Sequence, residues 1–173
     1  MQIGFIGTGH ITKSVIFGIL GSKLKVNKII ISKRNHKISS TLKNKSKKIT
    51  VLNDNQKIID QSDWVFLSVT PEVGHKILPN LKFKKNQTII SFISTIKMKE
   101  LKKYTKLKSK IVRAIPLPPI SIRKGPVPIY PPNKNVKKFF DHLGTTVEIK
   151  NENLSLNFWS TSSMMAPFYE LLQ

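Results

Sequence analysis

Near the start of the chain, Gly7-Thr8-Gly9-His10-Ile11-Thr12 places two glycines one residue apart. Glycine lets a backbone turn tightly and leaves no side chain to hold a ligand away. A helix starting directly after such a turn adds unpaired N–H groups and the positive end of its dipole. Together these features suit one chemistry, the holding of a dinucleotide diphosphate. The segment supplies the first two glycines of G-x-G-x-x-G and has Thr12 at the third position. The motif gains its weight from context: it must lie between a strand and a helix within a βαβ unit. His10, inside the turn, reads as ligand lining before it reads as a catalytic base.

A second segment, Ser32-Lys33-Arg34-Asn35, follows the next apolar strand. Sites for NAD often place Asp or Glu here, accepting from the ribose hydroxyls. No acid stands here, and a hydroxyl with two cations suits a 2′-phosphate through charge-assisted hydrogen bonds. The expected cofactor is therefore NADP(H), preferred over NAD(H). The competing reading is that Lys33 and Arg34 are ordinary surface cations of a lysine-rich chain. Elsewhere the chemistry is sparse. His10, His36, His75 and His142 show no ligand-like spacing, so no metal is expected. Ser160, Ser162 and Ser163 lack a His–Asp partnership, which argues against a hydrolytic triad. No residue presents itself as the catalytic acid or base. Trp64 and Trp159 read as core or interface residues.

The elements that must position these residues alternate along the chain. Gln2–Ile6 reads as a buried strand, and Ile11, Val15 and Ile19 fall at helical spacing, with Gly21 as a stop. Three isoleucines within Lys28–Ser32 predict a strand buried on both faces. His36–Lys45 reads as a polar surface helix, Ile49–Leu52 as a strand and Asn55–Gln61 as a helix. Trp64–Ser68 reads as a strand, Glu72–Leu81 as a helix, Thr88–Ile93 as a strand, Lys97–Tyr104 as a helix and Lys110–Ile115 as a strand. Pro116, Pro118 and Pro119 break the pattern. Val127–Tyr130 then reads as a strand, Val136–Leu143 as a helix capped by Asn133, and Thr145–Ile149 as a strand. Residues 151–173 read as helical, with an apolar face of Phe158, Met164, Met165, Phe168 and Leu172 that expects a partner. Strands alternating with short helices predict an α/β fold, a Rossmann-type doubly wound, mainly parallel sheet.

Composition narrows the partners. With 173 residues and 39% hydrophobic content, the chain has room for one full domain with a real core. No apolar run approaches membrane-spanning length, so no membrane partner is expected. The first residues enter a strand directly, which reads as no signal peptide, and a cytoplasmic location follows by default. There are no cysteines to staple the fold or ligate a metal. Thirty basic residues against nine acidic ones give a formal charge of +21, which brings nucleic acid into consideration. Only Arg34, Arg113 and Arg123 are arginines, and the lysines run from Lys13 to Lys150. That spread favours a lysine-biased surface over a nucleic-acid footprint.

The opening Ile3-Gly4-Phe5-Ile6-Gly7-Thr8-Gly9 resembles that of pyrroline-5-carboxylate reductases, which make proline from a cyclic imine with NAD(P)H. The resemblance extends through Asn55, through Val65-Phe66-Leu67-Ser68-Val69-Thr70-Pro71, and through Val112-Arg113-Ala114-Ile115-Pro116. It implies that Ile6, Gly7, Thr8, Gly9, His10 and Ile11 wrap the pyrophosphate. It implies further that Ser32, Lys33 and Arg34 meet the adenosine ribose and its phosphate. Asn55 would lie by the adenine ribose, and Ser68, Val69, Thr70 and Pro71 would pass under the nicotinamide half.

Three departures stand beside this resemblance. Thr70 occupies a turn where the family usually has lysine, and Pro116-Leu117-Pro118-Pro119 replaces Pro-Asn-Thr-Pro. Ser162-Ser163-Met164-Met165-Ala166-Pro167-Phe168-Tyr169 stands where the family has a glycine- and serine-rich substrate segment. The resemblance implies residues 1–150 as an NADP-binding domain and residues 151–173 as the start of a helical dimerisation and substrate domain, largely absent. The expected activity is hydride transfer to a small cyclic imine in proline biosynthesis, incomplete in this chain. Homodimerisation is expected only with the rest of the helical domain. The alternatives are a non-catalytic NADP-binding module or a related reductase of another imine or keto compound. A β-hydroxyacid dehydrogenase is disfavoured, because Ser155–Gln173 contains no lysine.

Overall fold

The computed structural model describes residues 1–106, 110–155 and 157–158. Eight strands of the described residues form one sheet: β1 (Gln2–Ile6), β2 (Lys28–Ser32), β3 (Ile49–Leu52), β4 (Trp64–Leu67), β5 (Thr88–Ser91), β6 (Ile111–Ala114), β7 (Pro126–Tyr130) and β8 (Thr145–Glu148). Their spatial order is β3-β2-β1-β4-β5-β6-β7-β8. The first six are mutually parallel, whereas β7 runs antiparallel to β6 and parallel to β8. Among the described residues, six α-helices lie between them: α1 (His10–Leu20), α2 (His36–Lys45), α3 (Asn55–Asp60), α4 (Pro71–Ile77), α5 (Met98–Thr105) and α6 (Lys134–Phe140). This is the Rossmann-type, doubly wound sheet that the alternating pattern predicts.

The isoleucine runs explain why the sheet is sealed on both sides. Ile29, Ile30 and Ile31 in β2 are all fully buried. A buried isoleucine contributes about 1.5–3 kcal/mol relative to an exposed one, so three in succession fix a central strand. One apolar cluster joins Phe5, Phe66 and Val112 to α1, α2 and α6 on one face. The other joins Ile6, Val65 and Leu67 to α3, α4 and α5. Phe5 and Phe66 stack across β1 and β4 with centroids 4.5 Å apart.

Local chemistry starts the helices. Asn35 caps α2 by accepting from the Ile38 amide, Asp54 caps α3, and Asn133 caps α6. Several expectations shift in detail. α2 is not a purely surface helix, because Ile38, Ser39 and Leu42 are buried. The helix expected to reach Leu81 ends at Ile77 and passes into a 3₁₀ turn, Leu78–Asn80, around Pro79. β5 stops at Ser91, whose hydroxyl accepts the Ile93 amide at 3.2 Å and turns the chain. The proline-rich break holds a 3₁₀ turn, Pro118–Ile122, whose Ile120 carbonyl lies against Gly18 of α1. A side chain at Gly18 would collide with that carbonyl.

Residues 152–155 and 157–158 are helical, in line with the start of the expected C-terminal helix. Leu154 and Phe158 are exposed there. The expectations for Trp159, Ser160 and the Ser162–Tyr169 segment, and for Met164, Met165, Phe168 and Leu172, fall outside the described residues. No helix of the described residues is long and apolar enough to cross a membrane.

Candidate functional site

The strand order reverses between β1 and β4, and in open α/β sheets a crevice forms at that point beyond the carboxyl ends of the strands. Here the crevice begins at Gly7, with φ of +99°. A Cβ at Gly7 would run into the backbone carbonyl of Ser68, so both the conformation and the space demand glycine. Gly9 is different. It is the N-cap of α1 with φ of −98°, and a Cβ built on it would meet nothing within 4 Å. Its bare backbone faces open space, and no acidic residue in the first turn of α1 offsets the positive helix end.

Two hydroxyl pairs flank the turn. Thr8 Oγ1 donates to the Ser32 carbonyl at 2.6 Å and lies 3.1 Å from Ser32 Oγ. The Gly7 amide donates to Ser32 Oγ at 3.1 Å. On the opposite side, Thr12 Oγ1 lies 2.9 Å from the Gly7 carbonyl and 2.8 Å from Ser68 Oγ. Thr12, in place of the motif's third glycine, is thus buried and tied to the ends of β1 and β4.

The groove has two contiguous parts. One, about 480 Å³, is lined by Gly7, Thr8, Gly9, Arg34, Asn35, His36, Ser68, Val69 and Thr70. The other, about 530 Å³, is lined by Ile6, Gly7, Ser32, Lys33, Arg34, His36, Asn53, Asn55, Val69 and Ile77. No carboxylate is among these lining residues. Asp54, between two of them, spends its side chain on the Gln56 and Lys57 amides at the start of α3.

Most residues singled out in the sequence therefore converge on one groove. His10, Ile11 and Pro71 do not line it. They are the first residues of α1 and α4, directly after the lining residues Gly9 and Thr70. Asn35, His36, Asn53 and Ile77 line it without having been singled out. Asn35 and His36 carried a signal, since they extend the cationic segment into the start of α2. Ile77 carried none, because its place depends on where α4 ends. Pro116-Leu117-Pro118-Pro119 is not part of the groove lining and leads into the 3₁₀ turn against α1.

Outside the groove, one charged group among the described residues lies wholly inside the fold. Arg113 on β6 is fully buried. Its guanidinium donates to Glu152 Oε1 at 2.8 Å and to the Ser94 carbonyl at 2.6 Å. Burial pushes its pKa down, against the opposing pull of the Glu152 carboxylate.

The family model described as NADP oxidoreductase, coenzyme F420-dependent, matches residues 2–95, more than half of the chain and all of the groove. The chain belongs to this family. Within the NADP oxidoreductases, its relatives include the pyrroline-5-carboxylate reductase of Arabidopsis thaliana, 25% identical over 123 residues that make up 70% of this chain and 44% of that protein. The 1-pyrroline-5-carboxylate reductase of Streptococcus pyogenes superposes with a TM-score of 0.80 at 24% identity, covering 99% of this chain and 66% of that one. The Plasmodium falciparum pyrroline carboxylate reductase, solved with NADP bound, gives a TM-score of 0.78 at 18% identity, covering 99% and 66%. The resemblance drawn from the motifs is thus borne out. The chain spans less than half the length of the Arabidopsis relative and about two thirds of the solved enzymes.

Proposed function

We propose that the groove binds NADP(H) and that the protein is a reductase, delivering hydride to a small cyclic imine of the pyrroline-5-carboxylate type. The observation that carries the cofactor reading is Gly9, an open, side-chain-free helix start beside a Gly7 turn that tolerates no Cβ. Such a start presents unpaired amides to an anion without steric obstruction. The two parts of the groove hold about 480 and 530 Å³, and the Plasmodium relative of the same fold was solved with NADP.

Within this reading, the Gly7-Thr8-Gly9 backbone holds the diphosphate and Ser68, Val69 and Thr70 bound the nicotinamide side. Asn55, Asn53, Val69 and Ile77 enclose the adenosine side. Lys33 and Arg34, both exposed at its rim, neutralise the 2′-phosphate. When bound, the nicotinamide supplies the hydride, and the protein's task is to orient it against the C=N carbon. A protonated imine is already electrophilic, so the scarcity of acid–base side chains along the groove is compatible with imine reduction.

The deciding experiment is calorimetric titration of the purified chain with NADPH and NADH at moderate salt. Binding of NADPH in preference to NADH is expected, and binding of neither would sink the proposal. NADPH oxidation on adding pyrroline-5-carboxylate separates a reductase from a binding module, which would bind without turnover. The cation reading has its own test. The double substitution Lys33→Gln, Arg34→Gln should weaken NADPH by about tenfold, as expected for two exposed charge-assisted contacts. NADH affinity should stay within about twofold, since it lacks the phosphate those contacts address. Equal weakening of both would reduce the pair to general electrostatic attraction.

A further inference from the structure

We infer that Ser32 is a positioning residue of the diphosphate turn, one half of a hydroxyl brace with Thr8, and not a reader of the 2′-phosphate. The inference rests on the NADP(H) reading of the groove. It departs from what the position of Ser32, at the end of β2 and before two cations, would imply.

The argument is a count of protons and lone pairs. A phosphate oxygen accepts hydrogen bonds, so a hydroxyl that reads it must have a donor to spare. Thr8 has one hydroxyl proton, and its short contact to the Ser32 carbonyl, 2.6 Å, takes it. In the 3.1 Å contact between the two hydroxyls, Ser32 must then be the donor. The Gly7 amide, 3.1 Å away, occupies a lone pair of Ser32 Oγ. The Ser32 proton is therefore spent inside the protein. Burial agrees, because Ser32 is 5% exposed and Thr8 3% exposed, whereas Lys33 and Arg34 are open to solvent.

What the brace does follows from what it joins. Ser32 ends β2 and Gly7 opens the turn after β1, 25 positions earlier in the chain. The brace holds the turn at the carboxyl end of β2, as the Thr12–Ser68 pair holds it at β4. It pins Gly7 in its left-handed conformation and fixes where the Gly9 backbone faces the groove. Both dinucleotides share the diphosphate, so the brace acts on their binding equally. Selection between them falls to Lys33 and Arg34.

The test compares Ser32→Ala, Thr8→Val and Thr8→Ser with the parent. Ser32→Ala and Thr8→Val should each weaken NADPH and NADH by a common factor of about five to ten, leaving their ratio unchanged. Thr8→Ser, which keeps the hydroxyl, should restore both. Weakening of NADPH alone in Ser32→Ala would overturn the inference, since Ser32 would then be reading the phosphate. Unchanged affinity for both would overturn it as well. A second readout needs no ligand: the Gly7 amide should exchange its hydrogen at least about tenfold faster in Ser32→Ala than in the parent. Unchanged exchange would remove the brace even if the parent bound neither dinucleotide, a result that would separately sink the cofactor reading.

Discussion

Replacing Gly9 with alanine should leave folding nearly untouched and remove most of the affinity for NADPH. A methyl group at Gly9 meets no protein atom within 4 Å, and its φ of −98° is ordinary for alanine. Two small effects on stability oppose each other. Alanine lowers the entropy of the unfolded chain by about 0.4–1 kcal/mol, and as an N-cap it is poorer than glycine by a comparable amount. The midpoint of thermal unfolding should therefore move by no more than about 2 °C. The methyl would project into the space where a diphosphate must approach the backbone. Losing even one charge-assisted amide contact costs about 1.5–3 kcal/mol, or roughly 10- to 150-fold in affinity.

Gly7→Ala is the contrasting case. Its φ of +99° costs an L-residue about 1–3 kcal/mol, and the methyl collides with the Ser68 carbonyl. That variant should lose both binding and roughly 5 °C of thermal stability. Calorimetry and a melting curve on the two variants separate the roles. A Gly9→Ala protein that binds NADPH like the parent would place the diphosphate elsewhere.

The contrast between the two glycines shows what a sequence can and cannot reveal. Both stand in the same motif, but only a structure separates the one crowded by its neighbours from the one that borders open space. The sheet itself was legible because burial on both faces needs continuous apolar runs, which Ile29-Ile30-Ile31 and Val65-Phe66-Leu67 display. The boundaries of β1, β2, α2 and β3 follow from caps and turns that are local. Ser32 was legible as a residue of the groove, but its hydrogen bonds were not, since they depend on how β2 sets its hydroxyl against a turn 25 residues away. The 3₁₀ turn after Pro118 was hidden for a similar reason. Prolines announce a break, while the packing of Ile120 against Gly18 is a tertiary event. His36, Asn53 and Ile77 reach the groove only once α2, β3 and α4 have docked.

The last large effect lies away from the groove, at the contact between Arg113 and Glu152. Nothing local in the sequence announces it, since the two residues are 39 positions apart. Glu152 Oε1 accepts from Arg113 Nη1 at 2.8 Å and from the Met98 amide at 2.7 Å, joining β6, the start of α5 and the helical segment after β8. Glu152→Ala would take the Glu152 carboxylate away from a fully buried cation and deprive the Met98 amide of its acceptor. Breaking such a pair from one side costs about 3 kcal/mol, which lowers the unfolding midpoint by roughly 6–12 °C for a chain of this size. Removing the charge from both sides should hurt less. In Arg113→Met, Glu152→Gln, an apolar chain fills the buried site and the amide oxygen can still accept from Met98. That double variant should lose less than half of what Glu152→Ala loses. Because neither residue lines the groove, NADPH affinity at low temperature should stay within about twofold of the parent in both proteins. A Glu152→Ala midpoint within about 2 °C of the parent would show that the carboxylate does not hold the segment to the sheet. A double variant as unstable as the single one would show that Arg113 is needed for contacts besides its pairing with Glu152, the Ser94 carbonyl among them.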